Sequence, residues 1–520
     1  MRTPRALLRI LATISSWTMV SRVLGLVRDV LMAAILGTGP VADAFFVAFR
    51  LPNLFRRLLA EGAFSAGFVP LFSDKLAREG RTAARTFSDQ TLSVLVTCLV
   101  ILTLTAQLAM PWLAYLIAPG FSDNPDTMAM VVLFAQITLP YLAFMSLMAL
   151  LAGVLNALGR FMAVAAAPIL LNLILIAVLV VVAPLTGAPG TALSWGVTIS
   201  GALQFFLLLI AIGRAGFAPR IRYPWLTDDV KRLMRLALPA ALAGAATQIN
   251  ILVGSAIASF QEGAVSFLFY ADRLYQLPLG VIGVAIGVIL LPTLTDSLAR
   301  GDEETATQWQ NKAIEISMLF TLPAMVALIV IPAPIITTLF EHGAFSQTDS
   351  AATISALIAF APGLVAFVLI RIFSPAFFAR QNTRTPLHAA LLSMFVNVAG
   401  SLLLFPVMGH VGIAVATTLS AWVNAGYLGW HLWRQNALKP DNRLHRRLWL
   451  TGLASIGMGL VLWGIMSGLG GLFDTGMDVA VRVFALAILV LAGLGSYGLL
   501  CQITGAMSWH ELRRDLSARR

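Results

Sequence analysis

VPLFSDKLAREG at residues 69–80 returns 222 positions later as LPTLTDSLARGD at 291–302, and this pair decides the architecture. Pro70, Asp74, Leu76, Ala77 and Arg78 match Pro292, Asp296, Leu298, Ala299 and Arg300. The same offset carries Pro184, Gly187, Gly190 and Ala192 onto Pro406, Gly409, Gly412 and Ala414, and Pro140 onto Pro362. Agreement at three separated places reads as an internal repeat. Around it the chain is a series of apolar runs, each long enough to cross ~30 Å of hydrocarbon as a helix. About fourteen runs are expected, near 8–36, 41–73, 86–117, 128–155, 161–183, 190–213 and 230–259, then 265–298, 311–339, 351–378, 386–408, 411–433, 448–469 and 477–506. Six precede the repeat junction and six fill the second copy, so both copies share one orientation. The expected fold is an all-α polytopic membrane protein of about 14 transmembrane helices. Residues 1–222 form an N-terminal six-helix lobe, 223–440 a C-terminal six-helix lobe, and 441–520 two additional helices with a basic tail. Two such lobes normally enclose a site between them.

Composition agrees: 59% of the 520 residues are hydrophobic and 11% charged, and a mean hydropathy of +0.87 excludes an ordinary soluble chain. The start, MRTPRALLRILATISSWTMV, is basic then apolar like a secretory signal peptide. Arg22 and Arg28 follow at once and no small-residue cleavage site stands out, so a retained first helix is expected. Cys98 and Cys501 lie in apolar runs without CxxC spacing, which points to neither a disulfide framework nor a thiolate metal site.

A net charge of +11 hints at nucleic acid until the positive residues are located. Of 35 Lys and Arg, 27 sit at span boundaries on one side, from Arg2, Arg5 and Arg9 to Arg513, Arg514, Arg519 and Arg520. The opposite loops hold none, but hold Asp123, Asp126, Glu262, Glu341, Asp349 and Asp474. The positive-inside rule then puts both termini in the cytoplasm and gives an even number of spans.

Eight arginines remain inside spans: Arg22, Arg28, Arg50, Arg56, Arg57, Arg273, Arg371 and Arg482. Each costs ~2.5–3.5 kcal/mol at the bilayer centre even on the lenient insertion scale. Arg22 and Asp29 are seven apart and share a face; Ser21 and Arg28 form a second such pair about 100° away, with Gly25 between. In the second helix Asp43, Arg50 and Arg57 recur every seven residues, Arg56 lies four after Pro52, and Glu61 stands four after Arg57. One reading is neutralisation by Asp29 and Glu61, or snorkelling of arginines near span ends. A hydrated cavity is the favoured reading for Arg22, Arg28, Arg56 and for Arg273, which follows Asp272 in FYADRLYQLP. None of the eight is Lys, which suits bidentate binding of phosphate or carboxylate oxygens. The implied cargo is anionic.

Catalysis has little support. The six histidines are scattered near helix ends, there is no HExxH and no Walker A sequence, and neither a metal nor another cofactor is expected. Gly280, Gly283 and Gly287 read as helix-packing positions.

SRVLGLVRD (21–29), ADAFFVAFRLPNLFRRLLAEGAFSAGFVPLF (42–72) and YADRLYQLPLGVIGVAIGVILLP (270–292) closely resemble the MurJ (MviN) family of lipid II flippases, over essentially the whole chain. The two-lobe plan is similar to that of the wider multidrug/oligosaccharidyl-lipid/polysaccharide transporters. The resemblance implies a transporter, not an enzyme. Its task is export of undecaprenyl-pyrophosphate-linked peptidoglycan precursor across the bacterial inner membrane by alternating access. It maps cavity arginines onto Arg22, Arg28, Arg56 and Arg273, places Ser21 and Asp29 in the same cavity, and gives Asp43 a functional position. Asp43, Glu61 and Asp272 are expected to act in conformational change or gating. The last two helices would form a groove for the lipid tail. Expected partners are lipid II, membrane lipids and cell-wall synthesis proteins, not nucleic acid, and oligomeric state is left open. Some relatives couple to sodium through acidic groups in the second lobe; the run at 386–408 here has no Asp or Glu. Alternatives left open are a flippase for another polyprenyl-linked oligosaccharide, and a polyprenyl-pyrophosphate-binding membrane enzyme or scaffold.

Overall fold

A computed structural model describes residues 4–56, 67–474 and 476–507, with side chains described except at 4–15, 55–56, 238–247 and 281–289. Among the described residues the chain is helical, without a strand. It divides into two compact units, Met1–Ser266 and Phe267–Arg520.

The first unit contains α1 (Pro4–Leu36), α2 (Pro40–Arg56), α3 (Val69–Arg78), α4 (Gly80–Leu108), α5 (Met110–Ile117), α6 (Pro125–Thr138), α7 (Pro140–Ala157), α8 (Met162–Ala177), α9 (Ala183–Thr186), α10 (Pro189–Arg214) and α11 (Asp228–Ala258). α12 (Ala264–Ala299) begins in it and continues into the second. The second unit continues with α13 (Glu303–Val330), α14 (Pro332–Leu339), α15 (Gln347–Phe360), α16 (Gly363–Ala379), α17 (Arg384–Met408), α18 (His410–Arg434), α19 (Asn442–Leu469) and α20 (Val479–Thr504).

Several runs that read as single spans are pairs of helices, and the cause is proline, which lacks an N–H and clashes with the preceding turn. Pro140 opens α7 directly after α6, Pro332 opens α14 after α13, and Pro362 separates α15 from α16, which bend by 41°. Nine helical stretches are long and apolar enough to cross a membrane among the described residues, or ten with that bent pair counted as one.

In the first unit α10 packs against α6, α7 and α8, α2 against α6 and α7, and α1 against α8. Phe68 and Phe87 stack with centroids 5.4 Å apart and anchor an apolar core that includes Phe72, Leu150 and Val154. In the second unit α17 packs on α18, α16 on α13 and α18, and α19 on α13 and α20.

At positions matched by sequence the two units share an Asp–Arg bridge and a glycine of positive φ, although ψ differs between the glycines, 7° at Gly187 and −140° at Gly409. Asp74 pairs with Arg78 at 2.6 Å and Asp296 with Arg300 at 2.8 Å, one helical turn apart in both cases. Gly187 and Gly409 both hold positive φ, 62° and 57°, where a side chain is strained. Three residues on, a Cβ at Gly190 would fall 2.5 Å from Phe134, and one at Gly412 2.6 Å from the Leu404 backbone.

Candidate functional site

α8 is apolar throughout except for Asn172, which is buried where α8 packs on α1. An amide in an apolar helix must find partners or lose several kcal/mol of solvation, on the order of 2–7. Asn172 finds them on α1. Its Nδ2 donates to the Ser21 carbonyl at 2.9 Å and lies 3.4 Å from the Ser21 hydroxyl, and its Oδ1 accepts from Arg28 Nη1 at 3.0 Å. Gly25, midway between Ser21 and Arg28, faces the amide: a Cβ there would sit in ordinary van der Waals contact, 3.7 Å from Asn172 Nδ2.

Arg28 also donates from Nε and Nη2 to Asp29 Oδ1, at 3.0 and 2.6 Å. Only 8% of Arg28 and 3% of Asp29 is exposed, so each ion offsets the other's desolvation. Neutralisation by Asp29 therefore holds for Arg28 in this conformation. A guanidinium has five N–H donors, and the bonds to Asp29 and Asn172 use three of them. Two remain for oxygens of another group.

The seven-residue pairing of Ser21 with Arg28 is thus realised through Asn172, a residue the sequence reading missed. Its signal was present, as the lone polar side chain of the run at 161–183. Arg22 is half-buried beside Ser21, and among the described residues no ion pair to it is present. Arg56 closes the described part of α2; its side chain, with Arg57 and Glu61, lies outside the described residues.

Asp43 is elsewhere in the first unit and is fully buried. Its Oδ2 accepts from the Gly263 N–H at 2.8 Å, and its Oδ1 from the Ser266 N–H at 2.9 Å and the Ser266 hydroxyl. Gly263 and Ser266 open α12, where the first N–H groups lack intrahelical acceptors, so a carboxylate there is doubly favoured by capping and by the helix dipole. Close by, the Gly120 N–H donates to Ser259 Oγ at 2.9 Å, joining the segment after α5 to the end of α11.

Asp272 and Arg273 lie on α12 in the second unit, both half-buried. Arg273 lies over the Phe269 ring, 4.5 Å from its centroid, and Gln276 donates to Asp272 Oδ2. Arg371 is exposed on α16. Arg482, the fourth residue of α20, has a structural task. It donates to the carbonyls of Thr337 and Glu341 at 3.2 and 3.5 Å and approaches His342 Nδ1 at 3.4 Å, capping the end of α14. Among the described residues no three His, Cys, Asp or Glu side chains are grouped to hold a metal ion.

The family model "Lipid II flippase MurJ" matches residues 32–486. A Rhizobium meliloti protein named "Probable lipid II flippase MurJ" is 44% identical over 516 residues, covering 98% of this chain and 96% of the relative. The "Lipid II flippase MurJ" of Burkholderia cenocepacia is 34% identical over 482 residues, 91% of this chain and 92% of its own. A solved structure described as "Lipid II flippase MurJ, inward closed conformation" superposes with a TM-score of 0.78 at 26% identity, covering 97% of this chain and 99% of that one. An inward-facing multidrug resistance transporter of the MATE family superposes at 0.66 with 17% identity over 81% of this chain and 96% of its own, a likeness of fold alone. From the match over nearly its whole length, the chain belongs to the MurJ family of lipid II flippases.

Proposed function

We propose that this chain is a lipid II flippase, a multi-pass transporter of the bacterial inner membrane that supplies peptidoglycan synthesis and is not an enzyme. The observation that carries the reading is the full-length family match at 44% identity. The buried Arg28–Asn172–Ser21 network between α1 and the otherwise apolar α8 supports the location of the site.

The cargo moves from the cytoplasmic to the outer leaflet by alternating access, its headgroup in a hydrated cavity and its polyprenyl chain in lipid. Arg22, Arg28, Arg56 and Arg273 bind the pyrophosphate and peptide carboxylates, and Ser21 and Asp29 line the same substrate-binding cavity. Arg28 is held by Asp29 until a more highly charged pyrophosphate competes for it, and Asp29 reclaims it on release. Binding then differs between states, as transport requires. Asp43 gates by holding and freeing the first turn of α12; Glu61 and Asp272 act in the same rearrangement.

The fourteen-helix count follows if α1, α2, α11 and α12 join the ten apolar spans. Two six-helix lobes, 1–222 and 223–440, with 441–520 appended, are supported by the paired Asp74–Arg78 and Asp296–Arg300 bridges and the matched glycines. Charge asymmetry supports cytoplasmic termini. Cell-wall synthesis proteins are proposed partners. Depletion of the protein tests the reading: lipid II should accumulate in the cytoplasmic leaflet, and unchanged export after depletion overturns it.

A further inference from the structure

The start of α4 and the segment joining α10 to α11 enclose a basic pocket of about 310 Å³, lined by Arg81, Arg85, Arg220 and Arg222 with Thr82 and Thr86. Arg81 and Arg85, like Thr82 and Thr86, are four apart and lie on one face of α4. Arg81 Nη2 donates to the Ala215 carbonyl at 3.1 Å, and its guanidinium lies over the Phe217 ring. Arg85 Nη2 donates to the Ala218 carbonyl at 2.9 Å. These bonds fix the two bases and leave most of their N–H groups available. The Arg85 Nε is buried with no acceptor among the described residues. One buried carboxylate borders the pocket: Asp89 accepts from the Arg220 N–H at 3.0 Å and lies 3.4 Å from Arg222 Nε. Four cations against one anion leave a strong positive surplus.

An independent feature sits beside the pocket. In RIRYPWL (220–226) Ile221, Tyr223, Trp225 and Leu226 are 76%, 71%, 68% and 52% exposed, and the Tyr223 and Trp225 rings lie 5.2 Å apart. Exposed Trp and Tyr next to arginines, at the end of a membrane-spanning helix, is the composition of a segment seated in the headgroup layer.

We propose that this pocket binds the phosphodiester of an anionic phospholipid headgroup, with Tyr223 and Trp225 inserted among the neighbouring lipids. The site is separate from the α1–α8 network; only its assignment to the cytoplasmic leaflet rests on the topology given under Proposed function. The surplus of guanidinium donors selects phosphate oxygens, and the aromatic segment selects a lipid over a soluble anion.

The test uses the purified full-length protein in detergent, titrated with phosphatidylglycerol, with phosphatidylcholine of the same chains, and with inorganic phosphate. Lipid retention is read by native mass spectrometry, and folding by thermal melting without lipid. Wild type should retain phosphatidylglycerol about tenfold more tightly than phosphatidylcholine, and R81Q/R220Q should lose about tenfold in that affinity. R220Q alone alters an exposed side chain, so it should keep the lipid-free melting temperature and still weaken retention severalfold. W225A should weaken it too. Equal retention by wild type and R220Q, or no preference over phosphatidylcholine, overturns the site. Displacement of the lipid by inorganic phosphate assigns the pocket to a soluble anion and overturns the lipid assignment. None of these readouts depends on lipid II export, so this proposal and the flippase reading fail separately.

Discussion

Arg28 of α1 donates to Asn172 of α8 at 3.0 Å, so the single polar side chain of one apolar helix orients the charge of its neighbour. The same amide holds the Ser21 carbonyl one side of Gly25 and Arg28 the other. Replacing Asn172 by Ala should cost about 1–2 kcal/mol of stability, the scale of interhelical hydrogen bonds in membranes, and reduce export. Asn172→Asp should tighten the hold on Arg28 and block export, but it sets a carboxylate oxygen against the Ser21 carbonyl that Nδ2 now meets, so it should lose stability as well. Melting of the purified variants and complementation of a depleted strain read the two effects; full complementation by both removes Asn172 from the site.

If the arginines grip oxygens in pairs, charge alone is insufficient. Arg28→Ala and Arg273→Ala should abolish lipid II export with insertion intact. Arg→Lys at either position should lower it on the order of tenfold, the equivalent of one lost hydrogen bond of ~1.4 kcal/mol. Export assays in cells with matched membrane levels decide it. Wild-type export by both lysine variants means simple charge attraction, and full complementation by both alanine variants ends their assignment.

Sequence periodicity located these residues better than it explained them. The Ser21/Arg28 pairing and the cost of charge at Asp29 and Asp43 were readable, although spacing set Asp29 against Arg22 and the structure pairs it with Arg28. Asn172 was not, because periodicity on α1 says nothing about which helix lies opposite. Arg482 is one of the eight intramembrane arginines and has no assigned task in the sequence, because a span with an arginine looks the same whether it faces water or a helix end. Its carbonyl partners, Thr337 and Glu341, are more than 140 residues away. The all-helical, membrane-spanning character was legible as apolar runs, but the proline breaks within those runs were not, since a Pro at the first turn of a helix carries no sign of a break before it.

Asp43 gives a sharper discrimination between holding and gating. Asp43→Ala leaves the Gly263 and Ser266 N–H groups and the Ser266 hydroxyl unmatched in a fully buried place, at about 1–3 kcal/mol for each group left unsatisfied. Asp43→Asn keeps one acceptor oxygen and should fall between wild type and Ala in melting temperature. If the contact must break and re-form during transport, both variants lose export beyond what their stability loss accounts for. Export that tracks stability alone makes Asp43 a cap and nothing more.

Lys75 links α3 to α11 through Asp229 at 3.0 Å and reaches Glu79 at 3.2 Å. The hydrogen bond to Asp229 holds its ammonium above the ordinary lysine range. A raised folded-state value means the bridge contributes fully below the unfolded lysine pKa of ~10.4 and is lost as pH rises through the folded one. Wild type should therefore melt above Lys75→Met at neutral pH, with the gap closing only in strong alkali. A gap that persists in strong alkali shows that packing, not charge, separates the variants.

Arg482 should behave unlike the other intramembrane arginines. Only 5% of it is exposed, and its partners are carbonyls at a helix end, where the last C=O groups lack N–H partners and the dipole is negative. His342 Nε2 lies 2.9 Å from the Thr338 carbonyl. That oxygen can only accept, so Nε2 carries the proton and Nδ1 is the bare nitrogen facing Arg482. Removing the guanidinium leaves the end of α14 uncapped. Arg482→Met keeps the length and apolar bulk of the side chain and should cost about 1.5–3 kcal/mol, the value of hydrogen bonds to a charged group. Export per folded molecule should stay at the wild-type level, because Nη1 is spent on helix-end carbonyls and Nη2 faces His342. Thermal melts alongside export normalised to membrane content separate the outcomes. Lost export at unchanged stability would place Arg482 with the cargo arginines after all.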